Sequence, residues 1–334
     1  MLQRSAAAVK RHGFDVSQLR PPAEPQDGMA MATELRNPRI GLALGSGSAR
    51  GWAHIGVIRA LEKAGVRPDI VCGTSIGALV GAAYAAGELD RLEKWVTGLA
   101  WTTVVRLMDL TWRGGLIRGT RLFTLFGTML ADREIDDLPI PYGAIATELH
   151  SGRELWLRHG KLLEAVRASC AMPGILTPVL RDGAVLVDGG LVNPVPVSMC
   201  RALGADLVVA VDLSWGKLGP YRRSKEREIA PREEPSWMGR LAPKWVQGKK
   251  KDPSIVKQEE VPSIPSIFNV FLTSLDIVEM RVARSRLAGE PADVLITPLL
   301  PDFATMDFHR AEEAIAEGRA AVARMGPLLE QILR

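Results

Sequence analysis

The sequence has 334 residues but only three cysteines, and none of the intervals between them is that of a metal site or a CxxC motif. An odd, sparse count argues against a disulfide framework and is typical of a reducing compartment. No apolar run reaches the roughly 18 residues of a membrane-spanning helix, and the longest candidate, Ile76 to Ala86, has about half that length. The apolar patch Ala6 to Val9 is shorter than the core of a secretory signal. We therefore expect a cytoplasmic protein.

Basic residues are not spread over the chain but are concentrated in one segment. Residues 216–266 contain 12 Lys or Arg, 7 Asp or Glu and 7 of the 22 prolines, whereas the whole chain has a net charge of +4. A nucleic-acid enzyme usually carries its basic residues along a folded groove, so we expect no nucleic-acid partner. We predict a flexible leader (1–37), a core (38–215), a basic, proline-rich insert or flap (216–266), and C-terminal helices and a strand (267–334) that complete the same domain.

Strand-like and helix-like segments alternate from about residue 39 onwards. A short apolar run at 40–44 ends at a glycine cluster, and helical spacing of apolar residues follows at 53–64. A second unit pairs a strand at 70–72 with an apolar helix at 76–86, which should be buried because it is apolar on all sides. Such repetition predicts an α/β fold with a mainly parallel sheet. Further strands are predicted at 142–147, 153–157, 185–187, 207–211 and 294–296, and further helices at 162–170, 267–287 and 308–333.

The run GTSIG at 73–77 fits the pattern GxSxG at a predicted strand-to-helix junction. A serine in that tight turn projects its Oγ above the sheet, and the flanking glycines, Gly73 and Gly77, avoid clashes of Cβ atoms. The helix that follows directs its N-terminal dipole at developing negative charge. This context favours Ser75 as a nucleophile over a simple packing turn.

A glycine-rich loop, GSGSARG at 45–51, also lies between a strand and a helix. Its successive backbone N–H groups suit either a phosphate or an oxyanion. A dinucleotide site is disfavoured because Arg50 stands where the third glycine should be, and no GK[ST] of a Walker motif follows. A cation at the start of a helix opposes the helix dipole, so Arg50 should have an anionic partner or brace the backbone; the alternative is a solvent-facing arginine. The candidate loop residues are Gly45, Gly47, Ser48, Arg50 and Gly51.

The run DGG at 188–190 follows the predicted strand at 185–187. Asp188 at a strand end is able to accept a serine proton, although Asp-Gly, with Gly189 and Gly190 behind it, is also ordinary turn chemistry. Of the five histidines, only His309 follows Ser75 and Asp188 in the Ser…Asp…His order of α/β-hydrolases. His309 has the sequence context of the first turn of the C-terminal helix, where most histidines are structural.

Together these motifs resemble the patatin-like phospholipase family, and in particular its bacterial neuropathy-target-esterase-type branch. The resemblance runs from about Arg39 to the C-terminus and is weakest in 216–266. Five segments carry it: GLALGSGSARGWAHIGVIRAL, GTSIGALVGAAYA, RASCAMPGI, LVDGGLVNPVP and MDFHRAEEAIAEG. It implies a three-layer α/β/α sandwich in which 38–215 is the catalytic core. One departure is that Ser46 and Ser48 stand where many members have glycine.

The resemblance also implies a serine lipid acyl hydrolase with a Ser–Asp dyad. The sequence itself has no sign of a metal site or an organic cofactor, and we expect none. Ser75 would attack the ester, and Asp188 would take its proton and later activate water. Backbone N–H groups around Gly47 and Ser48, with Arg50 bracing the loop, would hold the oxyanion.

Alternatives remain at this point for both mechanism and membrane contact. One is a Ser-Asp-His α/β-hydrolase or acyltransferase that uses His309, and another is a catalytically idle regulator that binds lipid or a partner. Residues 216–266 offer peripheral contact with the inner face of a membrane through apolar side chains among basic residues, or form a solvated flap. Those apolar side chains are Trp237, Met238, Leu241, Trp245 and Val246.

Overall fold

The computed structural model describes residues 38–107, 119–130, 133–215 and 266–326. The leader predicted at 1–37 and the insert predicted at 216–266, apart from its last residue, lie outside the described residues. The predicted membrane contact around Trp237 and Trp245 lies there too and stays a prediction.

The described part of the chain contains one eight-stranded sheet with strand order β5-β6-β3-β2-β1-β7-β8, and β4 pairs with β3. The pairs β1–β2, β2–β3, β1–β7 and β7–β8 are parallel, whereas β4, β5 and β6 are joined by antiparallel pairing. The strands are β1 (Ile40–Leu44), β2 (Ile70–Thr74), β3 (Tyr142–Glu148), β4 (Glu154–Leu157), β5 (Val179–Arg181), β6 (Ala184–Asp188), β7 (Leu207–Val211) and β8 (Val294–Ile296).

Helices cover both faces of this sheet. Along β1, Leu42 and Leu44 belong to one buried cluster and Ala43 to a second, and β2, β3 and β7 alternate in the same way. Strands buried on both faces are continuously apolar, which is why the runs were recognisable in the sequence. The predicted three-layer α/β/α sandwich is therefore confirmed. The helices are α1 (Ala53–Lys63), α2 (Ile76–Ala85), α3 (Leu89–Thr97), α4 (Trp101–Leu107), α5 (Thr120–Leu130), α6 (Leu162–Ser169), α7 (Val197–Ala202), α8 (Ile267–Gly289) and α9 (Ala311–Arg324).

The start of the C-terminal helix differs from the prediction. Helix α9 begins at Ala311 rather than at 308, so His309 lies in the preceding turn. The reason is local: the Asp307 carboxylate accepts the N–H of Ala304, three residues back in the chain, at 3.0 Å. Asp307 thus closes a turn instead of capping the helix.

Helices α1 and α9 cross at two facing glycines. A Cβ at Gly56 would overlap the carbonyl oxygen of Ile315, and one at Gly318 would overlap that of Ala53. The close approach anchors α1, which follows the glycine loop directly, and so fixes one side of that loop.

His54, in the first turn of α1, fixes the other end of the loop. Its Nε2–H donates to the carbonyl oxygen of Gly45 at 2.8 Å, and the side chain is fully buried. Burial disfavours the imidazolium ion and lowers the pKa of His54 to about 4. The ring is therefore neutral at physiological pH, with its proton on the nitrogen that faces the loop.

We expect Gly56→Ala to lower the free energy of unfolding by about 1 to 3 kcal/mol, because the new methyl group overlaps the α9 backbone, even though alanine favours helix by about 1 kcal/mol. The matched control is Gly127→Ala in α5, where the nearest atom, Leu163 Cδ2, would be 3.4 Å away. Urea unfolding of both variants measures the difference. Equal stability of the two would contradict the close crossing.

Acid should destabilise the fold through His54. The ordinary pKa of 6.5 applies to the unfolded chain and the lowered one to the folded chain, so the unfolded state binds more protons between these values and stability falls as the pH falls through this window. Between pH 7 and pH 5 we expect the wild type to lose about 2 kcal/mol more than His54→Gln, which keeps a donor but does not titrate. Urea unfolding at both pH values tests this; parallel losses would show that His54 is not buried and neutral.

Candidate active site

Ser75 lies in a strained turn between β2 and α2. Its backbone has φ 56° and ψ −123°, a conformation that residues with a side chain rarely adopt. A Cβ at Gly73 would clash with the backbone of Gly77, and one at Gly77 would clash with that of Leu44. The glycines of the GxSxG run are thus required by packing, and the turn lifts the Ser75 side chain off the sheet.

The carboxylate of Asp188 meets this serine. Ser75 Oγ donates to Asp188 Oδ2 at 2.5 Å, and the two residues are 5% and 1% exposed. The register of β3 explains the meeting: Thr74 pairs with Ile145, and Asp188 pairs with the next residue, Ala146. The ends of β2 and β6 therefore converge beside one point of β3.

The DGG turn fixes the orientation of the carboxylate. Asp188 Oδ1 accepts the N–H of Gly190 at 2.7 Å, which leaves Oδ2 directed at Ser75. The backbone of Asp188 is held as well, because its N–H donates to Ala171 and its carbonyl accepts the Thr147 hydroxyl. A Cβ at Gly189 would clash with the backbone of β3, so that glycine is also required.

Two residues at the C-terminal end of α6, Ser169 and Cys170, hold the backbone of Ser75 in place. Neither was predicted as a site residue. The Ser75 N–H donates to Oγ of the fully buried Ser169 at 2.9 Å, and the Cys170 thiol donates to the Ser75 carbonyl at 3.1 Å. Burial raises the pKa of the Cys170 thiol, so it stays protonated and able to donate. The only sequence signal for this pair was its place in the RASCAMPGI segment.

The glycine loop leaves two adjacent N–H groups without a backbone acceptor in the described part of the chain, those of Gly47 and Ser48. The neighbouring N–H groups are all used: Gly45 donates to Val211, Ser46 to Pro194, Ala49 to Thr305 and Arg50 to Gly47. Ser48 reaches this conformation with φ 51°, in the region that favours glycine, and opens the 3₁₀ turn Ser48–Trp52. The loop therefore presents two donors side by side.

Arg50 braces this loop from within the protein. It is 2% exposed, and its Nη2 donates to the carbonyl oxygen of Phe303 at 2.7 Å. The solvent-facing alternative for Arg50 is therefore wrong. At Gly51 a Cβ would overlap the side chain of Ile76, so this glycine lets the loop lie against the residue after the serine.

His309 lies away from the serine–aspartate contact. Its ring packs edge-on against Trp101, with ring centroids 5.4 Å apart, and it is not among the described residues that line the cavity beside Ser75. His54 is hydrogen-bonded to the Gly45 carbonyl in the glycine loop, and His150 and His159 are exposed. Among the described histidines, none takes the place that a triad would require next to Ser75.

A cavity of about 130 Å³ opens beside Ser75. Among the described residues, its polar lining consists of the hydroxyl groups of Ser48, Ser75 and Thr305 and the thiol of Cys170, and the other side chains are apolar. Those apolar residues are Trp52, Ile76, Leu79, Trp95, Leu99, Val104, Phe123, Phe126, Met172, Ile175, Leu176, Met306 and Phe308. The serine thus stands at the boundary between the donors of the glycine loop and a space suited to a hydrocarbon chain.

In the ranges that the structure describes, no three or more His, Cys, Asp or Glu side chains converge in a way that would hold a metal ion. Nor does any helix in those ranges combine the length and hydropathy needed to cross a bilayer.

Comparison with known proteins identifies the family of this chain. Residues 42–201 match the family model described as patatin-like phospholipase. An uncharacterized NTE family protein of Mycobacterium tuberculosis (strain H37Rv) is 34% identical in an alignment that covers 85% of this chain and 90% of the relative. Patatin-like phospholipase domain-containing protein 6 of Mus musculus is 30% identical over 86% of this chain and 20% of its own length. Protein 7 of the same series and species is 36% identical over 58% of this chain and 15% of its own.

The resemblance noted in the sequence is thus confirmed by a match that spans nearly the whole of a relative and by a family model that contains Ser75 and Asp188. At the level of the family, the activity is that of a lipid hydrolase. The chain belongs to the patatin-like phospholipase family, among relatives named NTE family proteins.

Proposed function

We propose that this chain is a serine lipid acyl hydrolase that works through a Ser75–Asp188 dyad and an acyl-enzyme intermediate. The observation that supports it most is the 2.5 Å hydrogen bond from Ser75 Oγ to Asp188 Oδ2, at the mouth of an apolar cavity. An aspartate in direct contact with the serine is able to act as its base without an intervening histidine.

In the first step Asp188 Oδ2 takes the proton of Ser75 as Oγ bonds to the ester carbonyl carbon. The tetrahedral intermediate then expels the alcohol, which receives that proton from Asp188, and the acyl group stays on Ser75. In the second step Asp188 takes a proton from water, whose oxygen attacks the acyl carbonyl. The C–Oγ bond breaks, Ser75 regains a proton and a carboxylic acid leaves.

The charge that develops on the carbonyl oxygen would be held by the N–H groups of Gly47 and Ser48. Fixed donors aimed at an oxyanion act strongly because they need no reorganisation during the reaction. The hydrogen bonds of the neighbouring N–H groups, the Arg50 contact and the His54 contact hold the loop in the required shape. The N-terminus of α2 adds a favourable dipole at the same point.

The apolar cavity would hold the acyl chain of the substrate. A fatty chain gains roughly 0.8 kcal/mol for each methylene group that it buries, so the cavity supplies both affinity and selection for lipids. The bound acyl chain would also exclude water from the oxyanion donors, which strengthens the interaction of these donors with the developing charge.

The dyad predicts a specific pattern of kinetics. On a p-nitrophenyl ester we expect Ser75→Ala to be inactive and Asp188→Asn to lose about 10³- to 10⁴-fold in kcat, because the serine loses its base. His309→Ala is the matched control and should keep kcat within about threefold of the wild type.

The same experiment separates the alternatives. Complete loss of activity in a folded His309→Ala variant would favour a Ser-Asp-His enzyme. Retained activity in Asp188→Asn would remove Asp188 as the base. An inactive wild type, under conditions in which a control esterase turns over, would favour a binding or regulatory protein.

The cavity predicts a dependence on acyl-chain length. Leu79 lines it from α2, one turn beyond Ser75, so Leu79→Phe reduces its volume. We expect kcat/KM for an octanoyl ester to fall by about tenfold relative to that for an acetyl ester, which corresponds to the loss of one or two buried methylene groups. Leu180→Phe, on an exposed position of β5, is the control and should leave the ratio unchanged. An unchanged ratio in Leu79→Phe would place the acyl chain elsewhere.

A further inference from the structure

A second buried carboxylate, Glu279, lies against the active site and is not used by the dyad. It projects from the middle of α8, a helix whose neighbouring buried positions, Met280 and Ala283, are apolar. Glu279 is only 6% exposed. A buried carboxylate is costly unless it is compensated by hydrogen bonds, so its partners indicate what it does.

One partner of Glu279 is the glycine loop. Ser46 Oγ donates to Glu279 Oε2 at 3.2 Å, across 233 residues of sequence. This contact exists only because position 46 carries a hydroxyl group. Ser46 precedes Gly47 and Ser48, whose N–H groups have no backbone acceptor in the described chain, so the contact acts directly on the segment that presents them.

The other side of Glu279 faces the DGG turn. A Cβ built at Gly190 would lie 2.7 Å from Glu279 Oε1 and 3.1 Å from Asp188 Oδ1. The two carboxylate oxygens are therefore within about 6 Å of each other, and any side chain at position 190 would push Glu279 away. Glycine at this position thus lets the Glu279 carboxylate reach both catalytic loops at once.

We propose that Glu279 is a positioning residue that links the glycine loop to the DGG turn through the Ser46 hydroxyl. In this arrangement α8 sets the distance between the Gly47 and Ser48 donors and the Ser75–Asp188 pair. The catalytic part of this inference rests on the proposed function, whereas the link between α8 and the loop does not.

The test is a double-mutant cycle of Glu279→Ala and Ser46→Ala on a p-nitrophenyl ester. We expect each single variant to lose about tenfold in kcat with KM within about twofold, because the displaced donors act on the transition state. The double variant should lose little more than either single one, since both remove the same contact; independent effects would multiply to about a hundredfold. Glu279→Gln, which still accepts the hydroxyl proton, should retain most of the wild-type kcat.

The control is Glu290→Ala, which removes a carboxylate from the residue directly after α8 and should leave kcat unchanged. A kcat of folded Glu279→Ala within about twofold of the wild type, a purely multiplicative double variant, or an effect on KM alone would each overturn the proposal. If Glu279→Ala does not fold, the test rests on Ser46→Ala and Glu279→Gln. A wild-type kcat in Ser46→Ala would then overturn the proposal.

Hydrogen exchange separates this inference from the proposed function. In Glu279→Ala and in Ser46→Ala, amides of the segment 45–51 should exchange faster than in the wild type, whether or not the protein hydrolyses esters. If the wild type does not hydrolyse esters but both variants exchange faster than the wild type, the link is upheld and the proposed hydrolase activity is rejected. Unchanged exchange in both variants would reject the link itself.

Discussion

The direct contact of Ser75 Oγ with Asp188 Oδ2 is the constraint on which the site depends. Two strands must end beside one point of β3, one arriving parallel and the other antiparallel, for these side chains to meet. The turns after both strands are so tight that Gly73, Gly77 and Gly189 leave no space for a Cβ. Layers of helices on both faces of the sheet hold these strand ends in place, and the glycine loop then closes over them. The three motifs therefore form one geometric unit although the sequence separates them widely.

Much of the fold, and the positions of Ser75 and the glycine loop, were predictable because they depend on local patterns in the sequence. The strands β1, β7 and β8 begin and end at the predicted residues, since a strand buried on both faces is a short apolar run between polar or glycine boundaries. The positions of Ser75 and of the glycine loop followed from the strand–glycine–helix context. The fold class and the family were confirmed. The burial of Arg50 agrees with the bracing alternative, which rests on the unfavourable charge of a cation at a helix start.

The features that were not predicted depend on contacts between distant parts of the chain. Helix α3 was missed although Leu89, Leu92 and Val96 have helical spacing, and β5 is a three-residue strand that exists only through pairing with β6. The role of Ser169 requires α6 to end beside the nucleophile, and that of Glu279 requires α8 to lie over two loops. Nothing in the residues around Glu279 distinguishes its carboxylate from a solvated one. The start of α9 is displaced by the hydrogen bond from the Ala304 N–H to the Asp307 carboxylate, two residues that are only three apart in the chain. A pattern of apolar positions does not predict such a bond between polar groups.

Labelling with a fluorophosphonate probe, followed by intact-protein and peptide mass spectrometry, is the most direct test of whether Asp188 activates Ser75. Such a probe reacts only with a serine whose hydroxyl is activated and whose oxyanion donors are in place. A Ser75–Asp188 dyad should give a single adduct on the peptide that contains Ser75, absent in Ser75→Ala and greatly slowed in Asp188→Asn. An unlabelled wild type beside a labelled control hydrolase, or an adduct on another serine, would contradict it.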